Sequence, residues 1–210
     1  MEPAALHDGE ASEPDALQEQ RLDAVAGRLL DCGATSVLDL GCGSGELVAR
    51  LAAEARFERI VGVDRSPSIL ATARERLGPV VDGTRVRLLC ASFAEADERL
   101  AGFDAAALVE TLEHVDPGRL ALVERAVFAG YRPRTVIVTT PNREYNPRYG
   151  LAAGAMRHPD HRFEWDRARF GRWARGVGAR NGYAVTFAGI GAADESYGCP
   201  TQMALFRQRS

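Results

Sequence analysis

The sequence predicts an α/β fold: a doubly wound, mostly parallel seven-stranded sheet with an antiparallel edge hairpin. Three observations predict it. Short apolar runs alternate with segments whose apolar residues recur at helical spacing. The first strand-like run ends in glycines and the second ends in an acid, Asp64. The last two strand-like runs follow each other with no helix between them, as antiparallel neighbours do.

The elements read in order as follows. Residues 16–30 carry Leu17, Leu22, Val25 and Leu29 on one helical face. "SVLDLG" (36–41) is a buried strand running into glycines, and "ELVARLAAEA" (46–55) is a helix. "RIVGVD" (59–64) is a second strand. "SPSILATARERL" (66–77) is a helix capped by Ser66 with Pro67 in its first turn. "VRLLCAS" (86–92) and "FDAAALV" (103–109) are the third and fourth strands. Residues 116–131 form a helix with Asp116 as cap and Pro117 at its first position. "RTVIVTTP" (134–141) is the fifth strand. A polar segment, 142–163, precedes a helix over 166–182, into which Phe163, Trp165, Phe170 and Trp173 fit as core aromatics. "YAVTFAGIG" (183–191) and "TQMALFRQ" (201–208) complete the sheet.

At 210 residues the chain suffices for one domain, read as 16–210 behind a disordered acidic tail, 1–15. No apolar run is long enough to cross a membrane. The acidic N-terminus lacks a signal pattern, so the expected location is the cytoplasm. The cysteines, Cys32, Cys42, Cys90 and Cys199, form no CxxC pair, which argues against a disulfide framework or zinc ribbon. Cys42 and Cys90 lie in apolar runs and read as small core residues. All 26 basic residues are arginine. Residues 1–118 hold 11 Arg against 22 acids, and residues 119–210 hold 15 Arg against 7 acids. An arginine-rich half suits phosphate, and compositional bias does not account for the asymmetry between halves.

"VLDLGCGSGEL" (37–47) is a strand, a glycine turn and a helix start. Gly41, Gly43 and Gly45 allow a close backbone approach to a ligand. Asp64 is placed to accept hydrogen bonds from two ribose hydroxyls. A GxGxG run alone is shared with dinucleotide-binding folds. Asp39, just before the glycines, would repel a pyrophosphate but suits a sulfonium and an amine. The set Asp39, Gly41, Gly43, Asp64 therefore resembles the class I, Rossmann-like, S-adenosylmethionine-dependent methyltransferases. Ser92 and Phe93 are then expected to border the adenine, and Leu108 and Val109 the other face of the ligand, at the carboxyl edge of the sheet.

"VETLEHVD" (109–116) follows the fourth strand at that edge. On one helical turn Glu110, Glu113 and His114 share a face, and two carboxylates with an imidazole suit a divalent ion. A further ligand can come from "RHPDHRFEW" (157–165), through His161 or His158. Taken alone, an EH pair is more often structural, and Glu near a helix start also complements the macrodipole.

The run "ETLEHVDPGRL", then "VIVTTPNREYN", then "RHPDHRFEWDRARFGRWA", then "PTQMALF" resembles the Hua-enhancer family in order and spacing, over about residues 20–208. The resemblance implies an RNA 3′-terminal ribose 2′-O-methyltransferase. It implies one divalent ion held by Glu110, Glu113, His114 and His161. It also implies RNA with free 2′ and 3′ hydroxyls as substrate and, in bacteria, a polynucleotide kinase-phosphatase as repair partner. Two imidazoles favour manganese over magnesium, with cobalt as an alternative. An ion touching both ribose oxygens would select unblocked RNA ends, and DNA would fail for want of the 2′ hydroxyl. His158 is a candidate proton relay in catalysis. Arg134, Arg143, Arg148, Arg157 and Arg162 are candidates for phosphate contacts, and Asn142 for orienting the ribose. The rival readings are a small-molecule O-methyltransferase, for instance of catechols, and a non-catalytic RNA-end binding module.

Overall fold

The computed structural model describes residues 13–81 and 83–209. Seven strands form one sheet in the order β3-β2-β1-β4-β5-β7-β6. They are β1 (Ser36–Leu40), β2 (Arg59–Asp64), β3 (Val86–Cys90), β4 (Ala105–Val109), β5 (Thr135–Pro141), β6 (Tyr183–Ile190) and β7 (Thr201–Gln208). β1 to β5 pair in parallel, and β7 runs antiparallel to both β5 and β6. The antiparallel pair predicted at the edge is there, with the last strand on its inner side. The chain leaves β1 toward β2 on one side and finds β4 on the other. This topological switch is where open α/β sheets bind ligands.

Three helices, α1 (Glu13–Asp31), α2 (Glu46–Ala53) and α3 (Pro67–Leu77), cover one face. Leu22, Val25, Leu47, Leu51 and Leu70 pack there against Val37, Ile60, Ala105 and Ile137. Residues 1–12 of the expected tail lie outside the described residues, and α1 starts at Glu13, inside the segment read as tail. Ser66 caps α3 by accepting from the Ile69 amide, with Pro67 next, as its sequence indicates. Among the described residues no helix is long and apolar enough to cross a membrane.

The other face carries α4 (Leu120–Val123), which continues as a π-helical stretch, Glu124–Tyr131, and α5 (Arg167–Asn181). Val127, Phe128, Phe170, Ala174 and Val177 meet Leu38, Val61, Ala106, Val136 and Phe206. Burying each such Phe contributes roughly 1.5–3 kcal/mol. Phe163 and Trp165 stack on each other in the same core, and Trp173 packs against it half-buried.

Four expectations need correction here. The segment 116–131 is not one α-helix: Pro117–Arg119 is a 3-10 turn and Asp116 makes no side-chain cap bond. Its carboxylate instead faces Arg162 at 3.8 Å. Cys42 is buried as expected but Cys90 is exposed. β3 is the outermost strand, so its last residue lacks a neighbour on one side. The polar segment also has structure of its own, a 3-10 helix over Arg143–Tyr149 capped by Asn142. Arg134 precedes β5, at the amino end of the sheet, far along the strand from the edge where phosphate contacts were expected.

The amino ends of β1 and β4 are clasped by Asp104. Its Oδ2 accepts from the Ser36 hydroxyl at 2.8 Å, the Ser36 and Thr35 amides at 3.0 and 3.1 Å, and the Thr35 hydroxyl at 3.2 Å. Burial alone would raise its pKa, but the bonds from Ser36 and Thr35 outweigh it and hold the carboxyl below its ordinary 3.8. A depressed carboxyl contributes stability above the unfolded value and loses it as pH falls through the folded one. Asp104→Asn should cost about 1.5–3 kcal/mol at neutral pH. Denaturant melts should show that gap closing as pH falls below 3.8.

Candidate active site

The glycine turn after β1 has Gly41, Gly43 and Gly45 at φ of 83°, 52° and 81°, in the left-handed region that only glycine enters freely. Gly41 has a second constraint. A Cβ there would lie 2.3 Å from Cγ2 of Thr111, in the turn after β4. Thr111 donates to Val109 O at 2.9 Å. The turns after β1 and β4 thus close against each other at the switch point. Asp64, at the end of β2, accepts from the Gly43 amide at 3.2 Å and from the Ser66 amide at 2.9 Å, which ties the glycine turn to the start of α3.

A cleft of about 510 Å³ opens along this edge. Its walls include Gly41, Asp64, Ser92 and Phe93, and also Glu110, His114 and Arg162 from the turn after β4 and the histidine loop. Asp39 lies beneath, 2 % exposed. Burial, and then repulsion from Asp64, push its carboxyl from 3.8 up to about 7. A cationic group bound beside it would favour the ionised form. Leu108 and Val109 do not line the cleft: Leu108 packs in one core and Val109 against the other. β4 is central and covered on both faces, so its side chains are taken up by packing.

Residues 110–114 are not a single helical turn. Glu110 takes a φ of 47° and only Leu112–His114 form a 3-10 turn. The reversed backbone at Glu110 is held by Thr139, whose hydroxyl accepts from the Glu110 amide at 3.0 Å and donates to its carboxylate at 2.9 Å. The same carboxylate faces Arg21 of α1 at 3.7 Å. The next residue of β5 serves the second glutamate: the Thr140 hydroxyl donates to Glu113 Oε2 at 3.0 Å. Successive side chains of a strand point to opposite faces, so the two threonines hold the two carboxylates apart.

Glu113 is fully buried, and its Oε1 has no hydrogen-bond partner. Burial and the neighbouring Glu110 raise its carboxyl well above the ordinary value. Beside it are His114 and His161, and one ligand atom from each of the three lies within 4.8 Å of the others. The two imidazoles are 4.9 Å apart, edge to face. Burial, and then the charges of His161 and His158, lower the pKa of His114, which favours the neutral ring a metal requires. The loop bearing His161 is fastened to this turn: the Arg162 amide donates to Glu113 O at 2.7 Å.

His161 is oriented from behind. Its Nδ1 lies 2.6 Å from Glu164 Oε1. Burial would raise the Glu164 carboxyl, but bonds from His161, Asn146 and the Arg157 amide lower it, so it accepts. Nδ1 is therefore the nitrogen whose N–H points at Glu164, and Nε2 is the one left for a metal, an arrangement typical of metal-bound histidine. An orphaned buried carboxylate oxygen, two imidazoles and a carboxylate behind one of them fit a divalent cation. Glu110 stands beside this group but turns toward Thr139 and Arg21.

Of the remaining expected residues, His158 is exposed and flanks the site, 6.0 Å from His114 and 5.5 Å from His161 between ring centres. Arg162 lines the cleft. Arg157 does not face solvent: its guanidinium donates to Asn146 Oδ1, Pro200 O and Asn142 O, bracing the histidine loop from within. Asn142 is 1 % exposed and donates to Tyr197 O and Cys199 O, so it holds backbone rather than a ribose. Arg143 and Arg148 face Asp166 and Asp194 at 3.9 and 3.5 Å. Sequence reasoning missed Arg21, Thr111, Thr139, Thr140, Asn146 and Glu164. Only Glu164 left a signal, three residues after His161.

A family model described as a methyltransferase domain matches residues 37–133. A solved methyltransferase domain of a bacterial Hen1 (CtHen1-CN) is 42 % identical, covers 91 % of this chain and 99 % of its own, and superposes with a TM-score of 0.82. The crystal structure of the small RNA methyltransferase HEN1 is 30 % identical over 100 % of this chain and 27 % of its own, with a TM-score of 0.86. A small RNA 2′-O-methyltransferase from Rattus norvegicus is 36 % identical, over 82 % of this chain and 46 % of that protein. The chain thus spans about half the length of the curated relatives it matches.

Removing the carboxylate behind His161 tests whether this group takes a divalent ion. Were Mn²⁺ held there, calorimetric titration of Glu164→Ala would give an affinity about 10- to 100-fold lower, with S-adenosylmethionine binding unchanged.

Proposed function

This chain belongs to the Hen1 family of methyltransferase domains, and on that premise we propose that it methylates the 2′ oxygen of the 3′-terminal ribose of RNA, with S-adenosylmethionine as donor. The observation that carries the reading is the group Glu113, His114 and His161, which adjoins, through His114, a cleft that Gly41, Asp64, Ser92 and Phe93 also line. When bound, S-adenosylmethionine supplies an electrophilic methyl group, and a divalent ion supplies Lewis acidity toward a hydroxyl that is otherwise a poor nucleophile.

The chain's own side chains do the rest. Asp39, buried under the glycine turn, complements the cationic donor, and Asp64 accepts from its ribose. Glu113, His114 and His161 would hold the ion, and Glu110 would join as fourth ligand by turning its carboxylate from Thr139 and Arg21 toward them. Manganese suits this donor set better than magnesium, and cobalt is the next candidate. Arg162, which lines the cleft, meets the phosphate that links the terminal nucleotide to the rest of the strand. His158, half in solvent and next to both other imidazoles, takes the proton that the hydroxyl gives up. Holding both reactants at one edge of the sheet converts an encounter into an oriented reaction. The RNA end required is one left by a polynucleotide kinase-phosphatase, which makes such a repair enzyme the fitting partner.

Short RNAs ending in 2′,3′-diol, 2′-deoxy, 3′-deoxy or 3′-phosphate, offered with labelled S-adenosylmethionine and Mn²⁺, test the reading. Label is expected on the diol end alone. Equal label on the 3′-phosphate end overturns it, as does methylation of a catechol with none on RNA. Glu113→Ala and His161→Ala should abolish turnover while S-adenosylmethionine still binds; retained turnover removes those residues from the site.

A further inference from the structure

We propose that a second hollow, between α5 and the β6–β7 edge, binds an unstacked nucleobase of the RNA strand upstream of its terminal nucleotide. The proposal rests on RNA being the substrate. The hollow has a volume of about 420 Å³ and shares Asn142 and the start of β7 with the framework of the histidine loop. Volumes of this order are typical of small-molecule pockets.

Its walls suit a base. Phe187 points from β6 with 40 % of its surface exposed, unusual for a large apolar side chain in a sheet. The Arg175 guanidinium lies over that ring at 4.8 Å, and Phe170 meets it edge-on at 6.2 Å. An exposed ring and a guanidinium plane form a stacking platform of the kind single-stranded RNA uses. Arg175 has no carboxylate partner among the described residues, so its charge is available to a phosphate. Gly171, one helical turn earlier, leaves room for this side chain: a Cβ there would lie 3.0 Å from Nη1. Gly189 leaves the floor bare for a different reason: a Cβ there would meet Cys199 Sγ at 2.4 Å.

The floor is held by Gln202, 6 % exposed. Its Nε2 donates to Pro141 O at 3.1 Å and Trp165 O at 2.9 Å, which fixes the amide orientation. The same amide links the hollow to the candidate metal group, because Trp165 lies four residues after His161. A protein segment would also cover Phe187, but it would not in general bring an anionic group to Arg175. The surrounding half of the chain, with 15 Arg against 7 acids, favours nucleic acid.

Fluorescence anisotropy with a labelled single-stranded RNA bearing a 2′,3′-diol end tests this apart from turnover. Phe187→Ala and Arg175→Ala are surface changes, and unchanged S-adenosylmethionine binding checks their fold. Each should weaken RNA binding about 5- to 100-fold, the range for losing one base stack. KM for RNA should rise while kcat at saturation holds. Scanning an abasic nucleotide along the RNA should find one position where Phe187→Ala no longer matters. Wild-type affinity in both variants, with RNA methylation intact, overturns the subsite alone and leaves the hollow to a protein or to nothing. Phe187-dependent RNA binding without methylation by the wild-type chain instead supports the subsite and overturns the catalytic reading.

Discussion

A buried, half-unpartnered carboxylate is unfavourable unless it gains a proton or a counter-charge. Glu113 is fully buried with one oxygen lacking a donor, beside a second carboxylate at Glu110. Most of the architecture at this edge can be understood as holding that arrangement in readiness. Thr140 fixes one oxygen, the His161 loop is bonded to the residue's own carbonyl, and Glu164 turns the imidazole toward it. A cation at that oxygen would offset the cost of its desolvation.

The switch point makes this possible. β1 and β4 are neighbours whose chains depart in different directions, so the turns after them face one another across a gap. Gly41 and Thr111 close the base of that gap, and what remains open above is the cleft. The glycine turn and the turn bearing Glu113 and His114 therefore follow adjacent strands of one sheet.

Much of this was legible in the sequence. The period of the apolar residues located every strand, because a central parallel strand must be apolar on both faces. Asp39, the glycines and Asp64 were legible as one cluster at the carboxyl edge, and the structure brings them together there. The residues alone left His161 and His158 as alternatives, and the family resemblance singled out His161. The supporting side chains were not. Thr139 and Thr140 read simply as strand residues, and Arg157 as a surface cation, because nothing local says that a polar side chain will be buried. The i, i+3, i+4 spacing of Glu110, Glu113 and His114 suggested a helical face. The left-handed backbone at Glu110 instead turns its carboxylate away toward Arg21. Cys90 was misread for a similar reason: an apolar run does not reveal which strand will be outermost.

The insertion of β7 between β5 and β6 has a consequence for biosynthesis. Residues 201–208 leave the ribosome after every other strand, yet they occupy an interior position in the sheet. Until they arrive, β6 has nothing to pair with, and Gln202 cannot brace the carbonyls of Pro141 and Trp165. A nascent chain can therefore assemble its donor end early, while the histidine loop waits for translation of the final strand.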